Sequence, residues 1–102
     1  MMTLNEKLFQ EAVSGEQPVL VEFWAPWCVY CRRIIPAPEK ISQQYAGKIA
    51  VGQVNIDEEP LLASRESFEV IPTLILYHKG EALGSIVGGN PKQGLKNLFR
   101  KR

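Results

Sequence analysis

Cysteine and histidine are scarce in this chain of 102 residues, which has two of the first and one of the second. That leaves little to hold a metal. A closed zinc site takes four good ligands, and beside the cysteines there are only His78 and scattered carboxylates. Long apolar runs are missing as well, and no stretch approaches the roughly 20 residues that span a bilayer. Met1-Met2-Thr3-Leu4-Asn5-Glu6-Lys7 carries charge early with no apolar stretch ahead of it. It is therefore not expected to be a secretory signal. Net charge is nearly absent at +1, so neither nucleic acid nor an anionic membrane surface is an expected partner. No Gly-rich dinucleotide fingerprint occurs, and hydride is not expected to come directly from a nicotinamide. Repeats, low-complexity tracts and linkers are lacking too. At 45% hydrophobic composition the chain reads as one domain over residues 1–102 with a single core. Nothing in it demands more than a monomer.

The two cysteines that are present stand two residues apart, in Phe23-Trp24-Ala25-Pro26-Trp27-Cys28-Val29-Tyr30-Cys31. Val19 to Phe23 ahead of them reads as a buried strand, and Arg32-Arg33-Ile34-Ile35 behind them opens a helical pattern. Cys28 thus falls near a helix start, where unpaired N–H groups and the helix dipole favour thiolate over thiol. Such a spacing closes a small disulfide. Absent an export signal, a lone Cys-x-x-Cys is read in a cytosolic setting as redox or metal chemistry, not as a structural staple. The positional assignment makes Cys28 the attacking thiolate and Cys31, one turn further in, the resolving one.

In chain order, Thr3 and Glu6 resemble a capping box, with Leu4, Leu8, Phe9, Ala12 and Val13 on one helical face. Ser14 to Pro18 is a turn, and the central strand runs from Val19 to Trp24 with Glu22 as its single charge. A single helix is expected to follow to about Tyr45 with Pro36 and Pro38 inside it, kinked at Pro36. Lys48 to Asn55 is a strand, and Glu59 to Ser67 a short helix with Pro60 in its first turn. Thr73 to His78 and Ala82 to Val87 form a hairpin through Lys79-Gly80. Asn90-Pro91-Lys92-Gln93 starts a final helix that buries Leu95, Leu98 and Phe99. Strands alternating with helices, then a hairpin, predict an α/β fold with a mixed sheet covered on both faces.

The chain resembles thioredoxins. The resemblance rests on Val21-Glu22-Phe23-Trp24-Ala25-Pro26-Trp27-Cys28, Cys31, Pro36, Val54-Asn55-Ile56-Asp57, Ile71-Pro72-Thr73 and Val87-Gly88, and so covers essentially the whole domain. It implies a thioredoxin fold with a mixed five-stranded sheet in the order 1-3-2-4-5. It also implies a short edge strand at Met1 to Leu4, with Asn5 as the first helix cap. The implied activity is protein-disulfide reduction by dithiol–disulfide exchange in the cytoplasm. It needs no cofactor, draws electrons from a thioredoxin-reductase-type donor and acts on disulfide-containing clients. Pro72 is implied to be a cis proline facing the cysteines, with the backbone of Ile71 pairing with substrate. Read from the residues alone, it is a trans proline opening a strand. Glu22 takes the place of a buried aspartate that exchanges a proton with the second cysteine. Trp27, Val29, Tyr30, Ile71, Val87 and Gly88 are expected to form an apolar docking surface. Trp24 reads equally as core.

Two departures stand out. Thioredoxins typically carry Gly-Pro between the cysteines, where this chain has Val29-Tyr30. A pair less reducing than an ordinary thioredoxin is expected, with glutaredoxin-like or isomerase-like work as the alternative. A metal or iron–sulfur binding module, or a non-catalytic adaptor, are the readings from other classes. The lysine usual on the strand beside the buried acid is replaced by Gln53, so desolvation is expected to dominate and raise the Glu22 pKa.

Overall fold

The computed structural model describes residues 2–34, 36–66, 68, 70–87 and 90–100. In chain order the elements are β1 (Met2–Thr3), α1 (Glu6–Val13), β2 (Val19–Trp24), α2 (Val29–Ile34), α3 (Pro36–Gln44), β3 (Ala50–Asn55), α4 (Pro60–Arg65), β4 (Thr73–His78), β5 (Glu81–Val87) and α5 (Pro91–Arg100). The strands pair in the order β1-β3-β2-β4-β5. β3 runs parallel to β1 and β2, whereas β4 is antiparallel to β2 and β5. This is the sheet order expected of the sequence.

Strand period sorts β2 between two cores. Val19, Val21 and Phe23 pack with Phe9 and Val13 of α1 and Leu62 of α4. Leu20 points the other way, into Ile34, Ile41 and Leu95 of α2, α3 and α5. Helices therefore cover both faces, and β2 is buried along nearly its whole length. Close approach of α5 to β5 explains a glycine inside a helix. A Cβ on Gly94 would lie 2.7 Å from Ile86 Cγ2, so the helix carries the roughly 1 kcal/mol propensity cost of glycine to keep that contact.

Local signals set most of the ends. Asn5 Oδ1 accepts the Leu8 N–H at 2.8 Å, making Asn5 the cap of α1, and the Thr3 capping box does not form. Leu8 stays on the exposed side while Phe9 and Val13 are buried. Asn90 Oδ1 caps α5 through the Gln93 N–H at 3.2 Å. Pro36, which has no N–H to give the preceding turn, opens α3 as a separate segment. β3 starts at Ala50, two residues later than the sequence suggests. Lys48 and Ile49 instead donate to the Tyr45 carbonyl in a turn through Gly47, whose φ is +83°. The hairpin turn puts both Lys79 and Gly80 at positive φ, the geometry that matches strand twist.

Candidate active site

The site is built where β2 ends. The chain turns through Ala25, whose carbonyl accepts the Cys28 N–H at 3.1 Å, and α2 begins at Val29. Cys28 thus occupies the capping position. Its carbonyl accepts the Arg32 N–H at 3.3 Å, and its Sγ accepts the Cys31 N–H at 3.2 Å. A sulfur here does what a serine or aspartate oxygen does at other helix starts, and a thiolate does it better than a thiol. Cys31 lies one turn in and is 1% exposed against 8% for Cys28. Both cysteines are free thiols.

Ile71-Pro72 comes up beside them ahead of β4. The Ile71–Pro72 peptide is cis, and the Ile71 carbonyl oxygen is 3.9 Å from Cys28 Sγ. Thr73 Oγ1 ties this turn down by donating to the Val70 carbonyl at 2.5 Å. Ala25, Cys28 and Cys31 form a small buried cluster with Trp24, Ile56 and Ile71 packed against it. Around it Trp27, Val29, Tyr30 and Val87 are exposed, Trp27 by 64%. Gly88 lies outside the described residues.

Glu22 is buried, at 1% exposure, on the β2 face that carries α2. Burial pushes its carboxyl up from 4.5 to about 7, the direction expected from the sequence. Its partner in register on β3 is Gln53, whose amide donates instead to Thr3 Oγ1 at 3.3 Å. Burial pushes the Cys31 thiol up to about 12, aided by its hydrogen bond with Cys28 and by repulsion from Cys28 and Glu22. A backbone hydrogen bond involving Ala25 pulls the other way.

Three participants went unassigned in the sequence. Asp57 Oδ1 accepts the Trp27 indole N–H at 3.2 Å, fixing the exposed ring. Asn55 Oδ1 accepts the Asp57 N–H at 2.9 Å, so the two act as one brace. Polar residues alternating at a strand end, as in Asn55-Ile56-Asp57, were the available signal. Val70, next to Ile71 and 52% exposed, extends the apolar rim. His78 stands at the far end of β4, its Nε2 3.0 Å from the Glu16 carbonyl oxygen. Among the described residues no three His, Cys, Asp or Glu side chains come together as a metal site.

A capping cysteine, with a second cysteine buried one turn behind it, is an arrangement that suits dithiol–disulfide exchange on a five-stranded α/β scaffold. Comparison with known proteins narrows the class. A family profile described as thioredoxin matches residues 1–101. Thioredoxin 1 of a Nostoc species is 45% identical over 92 residues, 90% of this chain and 86% of that one. The thioredoxin of Alicyclobacillus acidocaldarius is 41% identical over 93% of this chain and 90% of its own. A chloroplastic M-type thioredoxin of Pisum sativum is 39% identical over 99% of this chain, which spans 59% of that longer one. The crystal structure of Malassezia sympodialis thioredoxin superposes with a TM-score of 0.87 at 27% identity, covering 98% and 89% of the two chains. The chain belongs to the thioredoxin family and is a thiol-disulfide oxidoreductase of the protein-disulfide reductase type. No helix among the described residues is long and apolar enough to cross a membrane.

Proposed function

We propose that the chain reduces client disulfides with Cys28 as nucleophile and Cys31 as resolving thiol. The observation that carries this is the Cys31 N–H aimed at Cys28 Sγ. It stabilises charge on Cys28, while Cys31 is held as thiol by burial. The Cys28 thiolate attacks one sulfur of the client disulfide, forming a mixed disulfide and releasing the other sulfur as a thiolate, which takes up a proton. Cys31 then loses its proton to the Glu22 carboxylate and attacks Cys28 Sγ. The Cys28–client bond breaks, the second client thiolate leaves and is protonated, and Cys28–Cys31 remains as a disulfide. A base is needed at this step because a thiol near 12 is almost wholly protonated at neutral pH.

The client docks as an extended strand beside Ile71-Pro72, on the rim of Trp27, Val29, Tyr30, Val70 and Val87. Gly88 belongs to this surface by sequence alone. A separate thioredoxin-reductase-type donor returns the electrons, and no cofactor enters. The setting is a reducing compartment, the cytosol, where a dithiol persists.

The test is a trapping experiment. With Cys31→Ser, incubation with a disulfide peptide should accumulate one covalent adduct on Cys28, read by mass spectrometry. Cys28→Ser should give none, and the opposite pattern would reverse the assignment. The reduction potential of the pair against glutathione should lie above the roughly −270 mV of a thioredoxin, because Val29-Tyr30 replaces the usual residues. A value at or below that level would show that this pair does not set the poise.

A further inference from the structure

The net charge of +1 hides how the fold sorts its charges. α2, α3 and α5 cover one face of the sheet, and α3 touches both of the others. That layer exposes Arg32 and Arg33 on α2, Lys40 on α3, Lys48 in the turn after it, and Lys92 and Lys96 on α5. Its helices hold one acid against them, Glu39. No Asp or Glu occurs in the chain after Glu81. The layer of α1 and α4 is the reverse. Glu6, Glu11 and Glu16 lie on α1 and the loop after it, and Asp57, Glu58 and Glu59 lead into α4.

The two layers also use their charges differently. On the acidic side Arg65 Nη1 pairs with Glu6 Oε1 at 2.9 Å, and Lys79 Nζ with Glu16 Oε2 at 3.8 Å. Among the described residues, none of the bases just named on α2, α3, α5 and the turn after α3 joins an ion pair. Local helix stability does not account for them all. Arg32 and Arg33 suit the dipole in the last turn of α2. Lys92, however, stands in the first turn of α5, where the dipole disfavours a cation, and it repels Lys96 four residues on. Exposed, unpaired charges of one sign attract their opposite over a distance and set the orientation of approach. The basic layer also meets the reactive thiol, because α2 starts at Val29 on the docking rim, directly after Cys28.

We propose that the face of α2, α3 and α5 is an electrostatic docking surface for client proteins that carry acidic residues beside their disulfide. This names a substrate class and rests on the reading that the chain reduces client disulfides. The sign is not trivial, since Asp57 is bonded to Trp27 on the other side of the site and would attract basic clients instead. The bases outnumber the acids on the side where the helix of the two cysteines continues, and none of them is neutralised by a neighbour among the described residues.

The test uses three disulfide peptides that differ only in four flanking residues, which are glutamate, glutamine or lysine. Second-order rates of reduction by the unmodified protein are measured by stopped flow at low ionic strength. The glutamate peptide should react fastest and the lysine peptide slowest, about tenfold apart. Salt at about 0.5 M should bring the three rates together, because it screens exposed charges. Arg32→Glu with Arg33→Glu should cut the glutamate-to-glutamine ratio about fivefold, and Lys92→Glu with Lys96→Glu about twofold. The ratio cancels any change these substitutions make to the Cys28 thiolate itself. Equal rates on all three peptides, or a lysine peptide that reacts fastest, overturn the proposal. So does a ratio that neither charge-reversed pair moves. Equal rates together with sedimentation of the protein on phosphatidylserine vesicles would assign this face to a lipid surface and overturn it too. If no peptide is reduced at any salt, the reductase reading itself fails and takes this docking surface with it.

Discussion

On the face packed by α1 and α4, the sheet buries Tyr77; on the face packed by α2, α3 and α5, it buries Glu22. Both are acids at low exposure in a mainly apolar layer, and both are pushed towards the neutral form by burial. Their partners differ. The Tyr77 hydroxyl donates to Glu66 Oε1, which stands just past the end of α4. The ring meets Phe9 edge-on at 5.3 Å between centroids. Glu22 Oε2 has no protein partner among the described residues. A satisfied buried polar group ties two elements together and raises stability. An unsatisfied one costs stability, and it is kept where the chemistry needs a proton acceptor of unusual affinity. The first face is built to hold and the second to react.

The largest test of that contrast is pH. The folded pKa of Glu22, about 7, lies above the unfolded 4.5. The unfolded chain ionises first as pH rises, so stability is full below about 4.5, falls through the interval and levels off above about 7. The loss attributable to Glu22 is about 3 kcal/mol. Urea unfolding across this range should show it in the parent and not in Glu22→Gln. A difference curve that is flat would mean the carboxyl is solvated in the folded state.

Tyr77→Phe probes the other face. It removes a hydrogen bond to a carboxylate and should cost about 2 kcal/mol. Here the folded phenol is raised above its unfolded value. The contribution is therefore constant through neutral pH and is lost only as pH climbs past about 10. A cost within about 0.5 kcal/mol would remove the contrast, because the pair would then be no more than a surface contact.

How far the sequence reaches differs between the faces for the same reason. Glu22 was visible because it is the single charge in an apolar strand, and Cys28 and Cys31 because no other cysteines compete. Asn5, Asn90 and the Lys79-Gly80 turn were visible because caps and turns act over three or four residues. The strand order came from family resemblance, since periodicity gives elements and not their neighbours. The Tyr77–Glu66 bond joins residues 11 apart, and the Trp27–Asp57 bond residues 30 apart. Tyr77 reads as one more apolar strand residue and Glu66 as one more carboxylate at a helix end. Only the docking of α4 on the sheet makes them partners. The docking rim was legible in part: Val70 shows its exposure only once the turn before β4 is folded.

Gln53→Lys would make the reactive face resemble the holding one by giving Glu22 a charged partner. The two residues are in register on adjacent parallel strands, so a side chain at 53 projects on the same face as Glu22. Gln53 is half-buried and now donates to Thr3 on the edge strand. A lysine ammonium there has a stem long enough to turn inward and keep its head near solvent. An opposite charge within a few ångströms favours the carboxylate, and the Glu22 midpoint should fall by about one pH unit. The sign for catalysis follows from that shift. A larger fraction of Glu22 is ionised at neutral pH, but each carboxylate is a weaker base towards the Cys31 thiol. Resolution should therefore hold its rate to lower pH, with a lower plateau at alkaline pH. Carboxyl NMR reads the midpoint and stopped-flow thiol exchange reads the profile. A midpoint that does not move would show that position 53 is electrically remote from Glu22, and that burial alone sets the acid.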